Sequence, residues 1–218
     1  MKFENLRLIQ DENQKMASLN MAIDEALFLT AESPVIRFYR WAHPSISFGY
    51  FTAWSEVYPR FAERDLVRRW TGGGIVEHGQ DLTYSLVYPG GRELPAAIEV
   101  YRLVHAAIAK VLAGTGRPIE IAKSNETGAS PACFDKAVQY DVKFNGVKIA
   151  GAAIRRNRQG LLLQGSIQRC EIPGQFDVLF AGELCNRLEL TLLPDRIVPL
   201  AKCLAKEKYG TEEWNHRS

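Results

Sequence analysis

A run of three glycines between an arginine pair and a histidine is the part of this sequence best suited to chemistry. Arg68 and Arg69 precede Gly72-Gly73-Gly74, and Ile75-Val76-Glu77-His78 follows. Glycines adopt positive φ and let backbone N–H groups approach a ligand without a Cβ in the way. Successive inward N–H groups form an anion-binding concavity, to which an arginine adds charge and a bidentate fork. A phosphate, an adenylate or a carbonyl oxygen that gains charge would suit this loop; the alternative is a flexible bend between strands.

The surroundings of the glycine run exclude two common motifs. No Gly-Lys-Ser/Thr follows it, and it fits neither the P-loop nor the dinucleotide fingerprint. Residues 82–88 alternate apolar and polar side chains, which is typical of a half-buried strand. The sequence therefore predicts a glycine loop that leads into a β-hairpin.

A second candidate is the thiol of Cys133, which ends a loop of small and polar residues. A thiol becomes a nucleophile when a nearby cation lowers its pKa and solvent can reach it. Lys148 follows fifteen positions later, and Asn145-Gly146 predicts a hairpin that folds the chain back on itself. Cys133 and Lys148 could therefore meet; the alternatives are a packed thiol and a surface lysine.

Composition places these candidates in an ordinary soluble globular protein. The 218 residues are 46% apolar and 24% charged, with a net charge of +2, which gives no reason to expect nucleic acid. No apolar run reaches the length of a membrane span, and no signal peptide begins the chain, so we expect a cytoplasmic protein. The four cysteines form no CxxC pair, which predicts neither a zinc site nor a disulfide framework, and each apart from Cys133 is expected by default to be a small buried residue.

The elements that must position these residues mix strands and helices without strict alternation, which indicates an α+β class. Hydrophobic periodicity and turn signals predict strands at 6–9, 35–41, 45–50, 82–88, 140–144, 148–154 and 161–167. Helices are predicted at 16–30, 55–62, 95–112, 176–181 and 198–208. Within them, Ser55 is expected to cap its helix, Asp24 and Glu25 to form a solvated face, and His105 to be structural.

Two motifs together resemble the biotin/lipoate protein ligase and octanoyl/lipoyl transferase superfamily. The first is Arg69-Trp70-Thr71-Gly72-Gly73-Gly74-Ile75-Val76-Glu77-His78, with Asp81 and Tyr84-Ser85 after it. The second, the lysine strand, is Asn145-Gly146-Val147-Lys148-Ile149-Ala150-Gly151-Ala152-Ala153. The likeness runs from about residue 6 to residue 200, and its motifs are specific in combination.

The resemblance implies a fold and a set of site residues. The fold would be a mixed, mainly antiparallel sheet flanked by helices, in a single catalytic domain over 1–218 without an accessory C-terminal domain. The head of an acyl-adenylate or acyl-thioester would be held by Arg69, Thr71, Gly72, Gly73, Gly74, Ile75, Val76, Glu77 and His78. Lys148 would reach the acyl carbonyl or the phosphate. The acyl chain would lie in an apolar slot lined partly by Gly151 and Ala152.

Within the superfamily, Ala132-Cys133-Phe134-Asp135 resembles the nucleophile motif of cysteine-type octanoyltransferases. That resemblance implies transfer of an octanoyl or lipoyl group from acyl carrier protein, through a Cys133 thioester, to a lysine of a lipoyl carrier domain, without a cofactor or metal. The alternative is a lipoate–protein ligase that uses ATP and Mg²⁺, in which Cys133 is a bystander. Differences from the family pattern at Thr52, Gln164 and Ala152-Ala153-Ile154 keep that alternative open. A third hypothesis is a non-catalytic acyl or nucleotide binder, and we expect a monomer in each case.

Overall fold

A computed structural model describes residues 2–91, 93–126 and 136–217. In this part of the chain the strands are β1 Phe3–Lys15, β2 Val35–Trp41, β3 Ser45–Phe48, β4 Asp65–Arg68, β5 Val76–His78, β6 Leu82–Pro89, β7 Ile119–Ile121, β8 Val142–Phe144, β9 Val147–Asn157, β10 Gly160–Ile167 and β11 Cys185–Thr191. The helices are α1 Ala17–Thr30, α2 Trp54–Phe61, α3 Ala97–Ala113, α4 Phe176–Leu184, α5 Ile197–Leu204 and α6 Glu212–Asn215, with a π-helical turn at Ala205–Tyr209.

Eight of these strands form one mixed sheet, in the order β11-β1-β2-β6-β10-β9-β8-β7. Strand β1 runs parallel to both β11 and β2, and every other pair in this sheet is antiparallel. The predicted α+β class with a mixed, mainly antiparallel sheet is therefore confirmed. The short outer strands β7 and β11 were not predicted.

The large sheet is covered by helices on both faces, α1 on one and α3 and α4 on the other, and α5 packs against α1. Strand β6 is consequently buried on both sides, and the prediction that it is half-buried is wrong. Its Leu82, Tyr84 and Leu86 pack in the core under α3 and α4, whereas Thr83 and Ser85 enter a buried hydrogen-bond network on the other face. The polar residues of this alternating strand therefore face a buried hydrogen-bond network and not solvent.

The glycine run does not open a hairpin. Strand β5 pairs with β3, which in turn pairs with β4, in a separate three-stranded sheet, while β6 lies in the large sheet. The turn between β5 and β6 is closed by its own side chains, because His78 Nδ1 lies 2.7 Å from Asp81 Oδ2. The predicted hairpin is therefore wrong, and the chain crosses between two sheets at the site itself.

Helix α1 departs from its predicted amphipathic form. The Asp24 side chain is fully buried and lies 2.8 Å from Arg37 Nη1. Glu25 is also buried, and its Oε2 lies 2.6 Å from Lys208 Nζ and 2.5 Å from the Tyr209 hydroxyl. The predicted solvated face is wrong, because α1 packs against the sheet and also against α5 and the π-helical turn at Ala205–Tyr209. A buried acid has to be paired, and both acids are.

The predictions of a turn, a helix cap and buried cysteines had different outcomes. The hairpin at Asn145-Gly146 is confirmed: β8 and β9 are antiparallel, and the two turn residues have φ of 50° and 76°. Ser55 is not a cap, since Ala53 precedes the first helical residue, Trp54. The expectation that each cysteine is buried is wrong for Cys203, whose side chain is exposed.

Candidate active site

A largely apolar pocket opens beside the glycine run, between the large sheet and the small one. Small residues of β9 and β10 form one wall, and aromatic and polar side chains form the other. The lining residues are Met21, Tyr39, Trp41, Ser47, Arg69, Val76, His78, Thr83, Gly151, Ala152, Ala153, Gln164, Gly165 and Ser166.

The glycine loop curls around the side chain of Arg69. Its Nη2 donates to the carbonyls of Gly72 and Gly74, at 3.0 and 2.8 Å, and its Nη1 donates to Ser47 Oγ at 2.8 Å. Gly73 has φ of +86°, a conformation that favours glycine. A Cβ on Gly49 would lie 1.8 Å from the Gly73 carbonyl oxygen, so the neighbouring turn can approach the loop only as glycine. Arg69 therefore organises the loop and also reaches the pocket.

Next to Arg69, a row of side chains runs from Ser47 through His78 to Asp81. Ser47 Oγ lies 2.6 Å from His78 Nε2, and His78 Nδ1 lies 2.7 Å from Asp81 Oδ2. Thr83 Oγ1 and Ser166 Oγ donate to the same carboxylate oxygen at 2.7 and 2.6 Å. Burial by itself would raise the pKa of Asp81, but the attraction of His78 and these hydrogen bonds outweigh it and hold the pKa well below its usual range.

A second row of hydrogen bonds ties the glycine loop to α1. Thr71 Oγ1 donates to Gln164 Oε1 at 2.8 Å, and Gln164 Nε2 donates to Asp24 Oδ2 at 2.8 Å. Asp24 also accepts from Ser85 Oγ at 2.7 Å and from Arg37 Nη1 at 2.8 Å. The amide of Gln164, which lines the pocket, is thereby fixed in one orientation.

Lys148 is a buried lysine at the edge of this pocket. Only 5% of the residue is exposed, and Nζ lies 2.8 Å from Asp141 Oδ2. Asp141 in turn accepts from the Tyr101 hydroxyl at 2.5 Å and from the Val138 amide at 2.7 Å. The ammonium group packs directly against Gly151, a residue of the pocket wall. Lys148 is therefore held by a carboxylate instead of extending into solvent as a surface lysine would.

The predicted site residues are only partly brought together. Arg69, Val76, His78, Gly151 and Ala152 line the pocket. Thr71, Gly72, Gly73 and Gly74 form the loop behind Arg69, whereas Ile75 packs into the small core between β3 and α2 and Glu77 is exposed.

Cys133 lies outside the described residues, as do Ala132, Phe134 and Asp135. The described chain resumes at Lys136, three positions after Cys133, and its carbonyl accepts from Lys148 Nζ at 3.4 Å.

Several pocket residues were missed by the sequence analysis, among them Ser47, Trp41 and Ser166. Nothing in the spacing of Ser47 or Trp41 distinguishes them from other strand residues. Ser166 lies within the strand predicted at 161–167, and its position there gives no sign of a role in the pocket. Asp81, three positions after His78, carried the one usable signal, since a histidine and an acid across a tight turn can reach each other.

The described residues contain neither a metal-binding cluster nor a membrane-spanning helix. No three His, Cys, Asp or Glu side chains among them lie close enough to hold a metal ion. No helix within the described ranges is long and apolar enough to cross a membrane.

Comparison with known proteins supports the resemblance seen in the motifs. The family model for the lipoyl protein ligase A/B catalytic domain matches residues 16–170. Octanoyltransferase LipM from Symbiobacterium thermophilum is 30% identical over 277 aligned residues, which cover 98% of each protein. That alignment is longer than the 218 residues of this chain, so the relative has residues without a counterpart here.

A second relative and a solved structure agree. Octanoyltransferase LipM from Moorella thermoacetica is 37% identical over 164 residues, 68% of this chain and 59% of that protein. A protein from T. acidophilum, solved with bound lipoic acid, superposes with a TM-score of 0.77 at 22% identity over the whole of both chains, which shows the shared fold. The family predicted from the glycine and lysine motifs is confirmed: this chain belongs to the lipoyl protein ligase A/B catalytic-domain family.

Proposed function

We propose that this protein is an acyltransferase of protein lipoylation, which moves an octanoyl group from acyl carrier protein through a thioester on Cys133 to a lysine of a lipoyl carrier domain. The observation that carries the proposal is the position of Lys148, a buried ammonium against the wall of an apolar pocket. Two relatives that bear the name octanoyltransferase support the choice of acyl group.

The pocket has the composition that an acyl chain requires. Gly151, Ala153 and Gly165 leave room along one wall, and Met21 and Tyr39 offer apolar contact on the other. Each buried methylene contributes about 0.8 kcal/mol, so a chain of eight carbons gains several kcal/mol from such a slot. The acyl chain lies there with its carbonyl toward Lys148.

The reaction then proceeds in two balanced steps. The Cys133 thiolate attacks the thioester carbonyl, the carrier's thiolate leaves and takes a proton, and the enzyme holds an octanoyl thioester. The amine of the target lysine attacks that thioester, an amide forms, and Cys133 leaves as a thiolate while the amine loses its proton. In both steps Lys148 stabilises the negative charge that develops on the carbonyl oxygen.

A thioester is already activated, so this route needs neither ATP nor a metal ion. The ligase alternative would form an acyl-adenylate from a free acid, ATP and Mg²⁺, with Arg69 and the glycine loop at its phosphate. The two routes therefore differ in the acyl donor and in their dependence on Cys133.

The test is intact-mass spectrometry of the protein after incubation with octanoyl–acyl carrier protein without ATP. We expect an octanoyl adduct that neutral hydroxylamine removes, that passes to an added lipoyl domain and that Cys133→Ser lacks. Cys203→Ser is the matched control, because its thiol is exposed and it should keep the adduct. Acylation of the lipoyl domain only with ATP and free octanoate, undiminished in Cys133→Ser, would replace the transferase with the ligase.

A further inference from the structure

The row formed by Ser47, His78 and Asp81 has the hydrogen-bond order of a nucleophilic triad. The hydroxyl faces Nε2 of the imidazole at 2.6 Å, and Nδ1 faces the carboxylate at 2.7 Å. A triad is recognised by this geometry and not by chain order or fold. Of its three members, only His78 has a part in the Cys133 route, as one of the residues expected to hold the head of the acyl thioester.

Hydrogen bonds and ring stacking hold the Asp81 carboxylate and the His78 imidazole in place. Thr83 and Ser166 donate to Asp81 Oδ2, and the Gly79 amide donates to Oδ1 at 3.1 Å, so the carboxylate stays ionised and fixed. In the neutral form of His78, the carboxylate at Nδ1 places the ring proton on that nitrogen, so that Nε2 accepts from Ser47 Oγ. The Trp41 ring stacks on the imidazole with centroids 4.0 Å apart, which fixes its plane.

The serine also has a source of positive charge. Arg69 Nη1 donates to Ser47 Oγ at 2.8 Å, so the guanidinium stabilises negative charge on that oxygen and beside it. Ser47, Arg69 and His78 all line the acyl pocket. The Ser47 hydroxyl therefore contacts both the imidazole and the guanidinium.

We infer that Ser47 is a second nucleophile of the pocket and that the protein hydrolyses medium-chain acyl esters and thioesters. This inference uses the acyl pocket of the proposed function and is independent of Cys133. Ser47 Oγ attacks the acyl carbonyl, its proton moves to His78 Nε2, and the leaving alcohol or thiol departs with that proton. Water then attacks the serine ester and gives a proton to His78; Ser47 recovers that proton, and the fatty acid is released.

The test removes the cysteine first, so that the two nucleophiles are separated. Hydrolysis of p-nitrophenyl octanoate is measured for Cys133→Ala, for Cys133→Ala with Ser47→Ala, and for Cys133→Ala with Ser45→Ala. Ser45 is the matched control: it lies on the same strand and is buried, but its hydroxyl donates only to the His43 carbonyl among the described contacts. We expect Cys133→Ala to hydrolyse the ester, the Ser47 change to reduce the rate by on the order of 100-fold or more, and the Ser45 change to leave it within about twofold.

A covalent readout on the unmodified protein guards against misfolding of the variants. An alkyl fluorophosphonate should modify Ser47 with loss of fluoride, and peptide mapping should locate the adduct there. Equal hydrolysis with and without Ser47, or no hydrolysis by Cys133→Ala together with no phosphonylation of Ser47, overturns the inference. Loss of carrier-dependent acylation in Cys133→Ser would still stand in that case, so the proposed function is judged separately.

Discussion

The ammonium of Lys148 occupies the space that a side chain on Gly151 would need. A Cβ on Gly151 would lie 2.6 Å from Lys148 Cε and 2.8 Å from its Nζ, and 3.2 Å from Asp141 Oδ1. Because residue 151 has no side chain, the Lys148 ammonium can pack directly against the wall of the acyl pocket.

Gly151→Ala should displace that ammonium and lower transferase activity without unfolding the protein. The methyl group meets the far end of a flexible side chain, so Lys148 moves and the backbone stays. Loss of one charge-stabilising donor reduces the rate by roughly 100-fold. Steady-state octanoyl transfer and thermal unfolding of the variant would test this.

The control is Gly182→Ala, in helix α4, where an added Cβ meets nothing within 4 Å. It should keep full activity and gain up to about 1 kcal/mol in the free energy of unfolding, because alanine favours a helix over glycine. Equal activity losses in the two variants would contradict the assignment of Gly151.

Asp141→Asn should be destabilising, since it removes the carboxylate that lies 2.8 Å from the buried Lys148 ammonium and accepts from Tyr101 and Val138. Removing one partner of a buried pair costs about 3–5 kcal/mol. Replacing both partners, as Asp141→Asn with Lys148→Met, removes the lysine charge as well and should recover part of that loss. Urea denaturation of the two single variants and the double variant measures the coupling energy between Asp141 and Lys148. Strictly additive losses in the free energy of unfolding would show that the two side chains do not interact.

The sequence predicted the lysine strand and its turn well because both have strong local signals. Asn145 and Gly146 adopt positive φ as their types favour, and β9 returns antiparallel to β8. The family resemblance likewise depended on contiguous motifs. These features need no knowledge of what the rest of the chain packs against.

The sequence did not predict the side chains that are buried against elements from distant parts of the chain. Arg68 and Arg69 are adjacent, yet Arg68 donates to the carbonyls of Trp214 and Asn215 near the C-terminal end, whereas Arg69 faces the pocket. Alternation along a strand sends neighbours to opposite faces, but sequence does not say which face is the site. The acids of α1 were misplaced for the same reason, because their partners lie 13 or more positions away.

Stability should fall in acid through the titration of His105. This imidazole is fully buried in α3 and its Nε2 has no hydrogen-bond partner among the described residues, and burial lowers its pKa from 6.5 to about 4. The unfolded chain binds the proton more readily, so the free energy of unfolding decreases as pH falls from about 6.5 to about 4, by roughly 3 kcal/mol in total.

His105→Leu removes this group at similar volume and should flatten the pH dependence across that window. Urea unfolding of both proteins at pH 7 and pH 4.5 gives the comparison. If the free energy of unfolding changes by the same amount between pH 7 and pH 4.5 in both proteins, groups other than His105 cause the acid sensitivity.

Chain-length preference should be set by Ala153, whose methyl group lines the pocket. Ala153→Leu adds three carbons and fills space that the end of an octanoyl chain would use. Each methylene excluded from the slot costs about 0.8 kcal/mol, or roughly fourfold in kcat/KM. Exclusion of three methylenes of the acyl chain therefore corresponds to a factor of about 50 to 100 in kcat/KM. The ratio of kcat/KM for octanoyl and butanoyl thioesters should therefore fall by that factor, while butanoyl transfer changes little because its carbonyl and first carbons keep their contacts. An equal loss for both substrates would mean that Ala153 affects the reacting end of the pocket and not its depth.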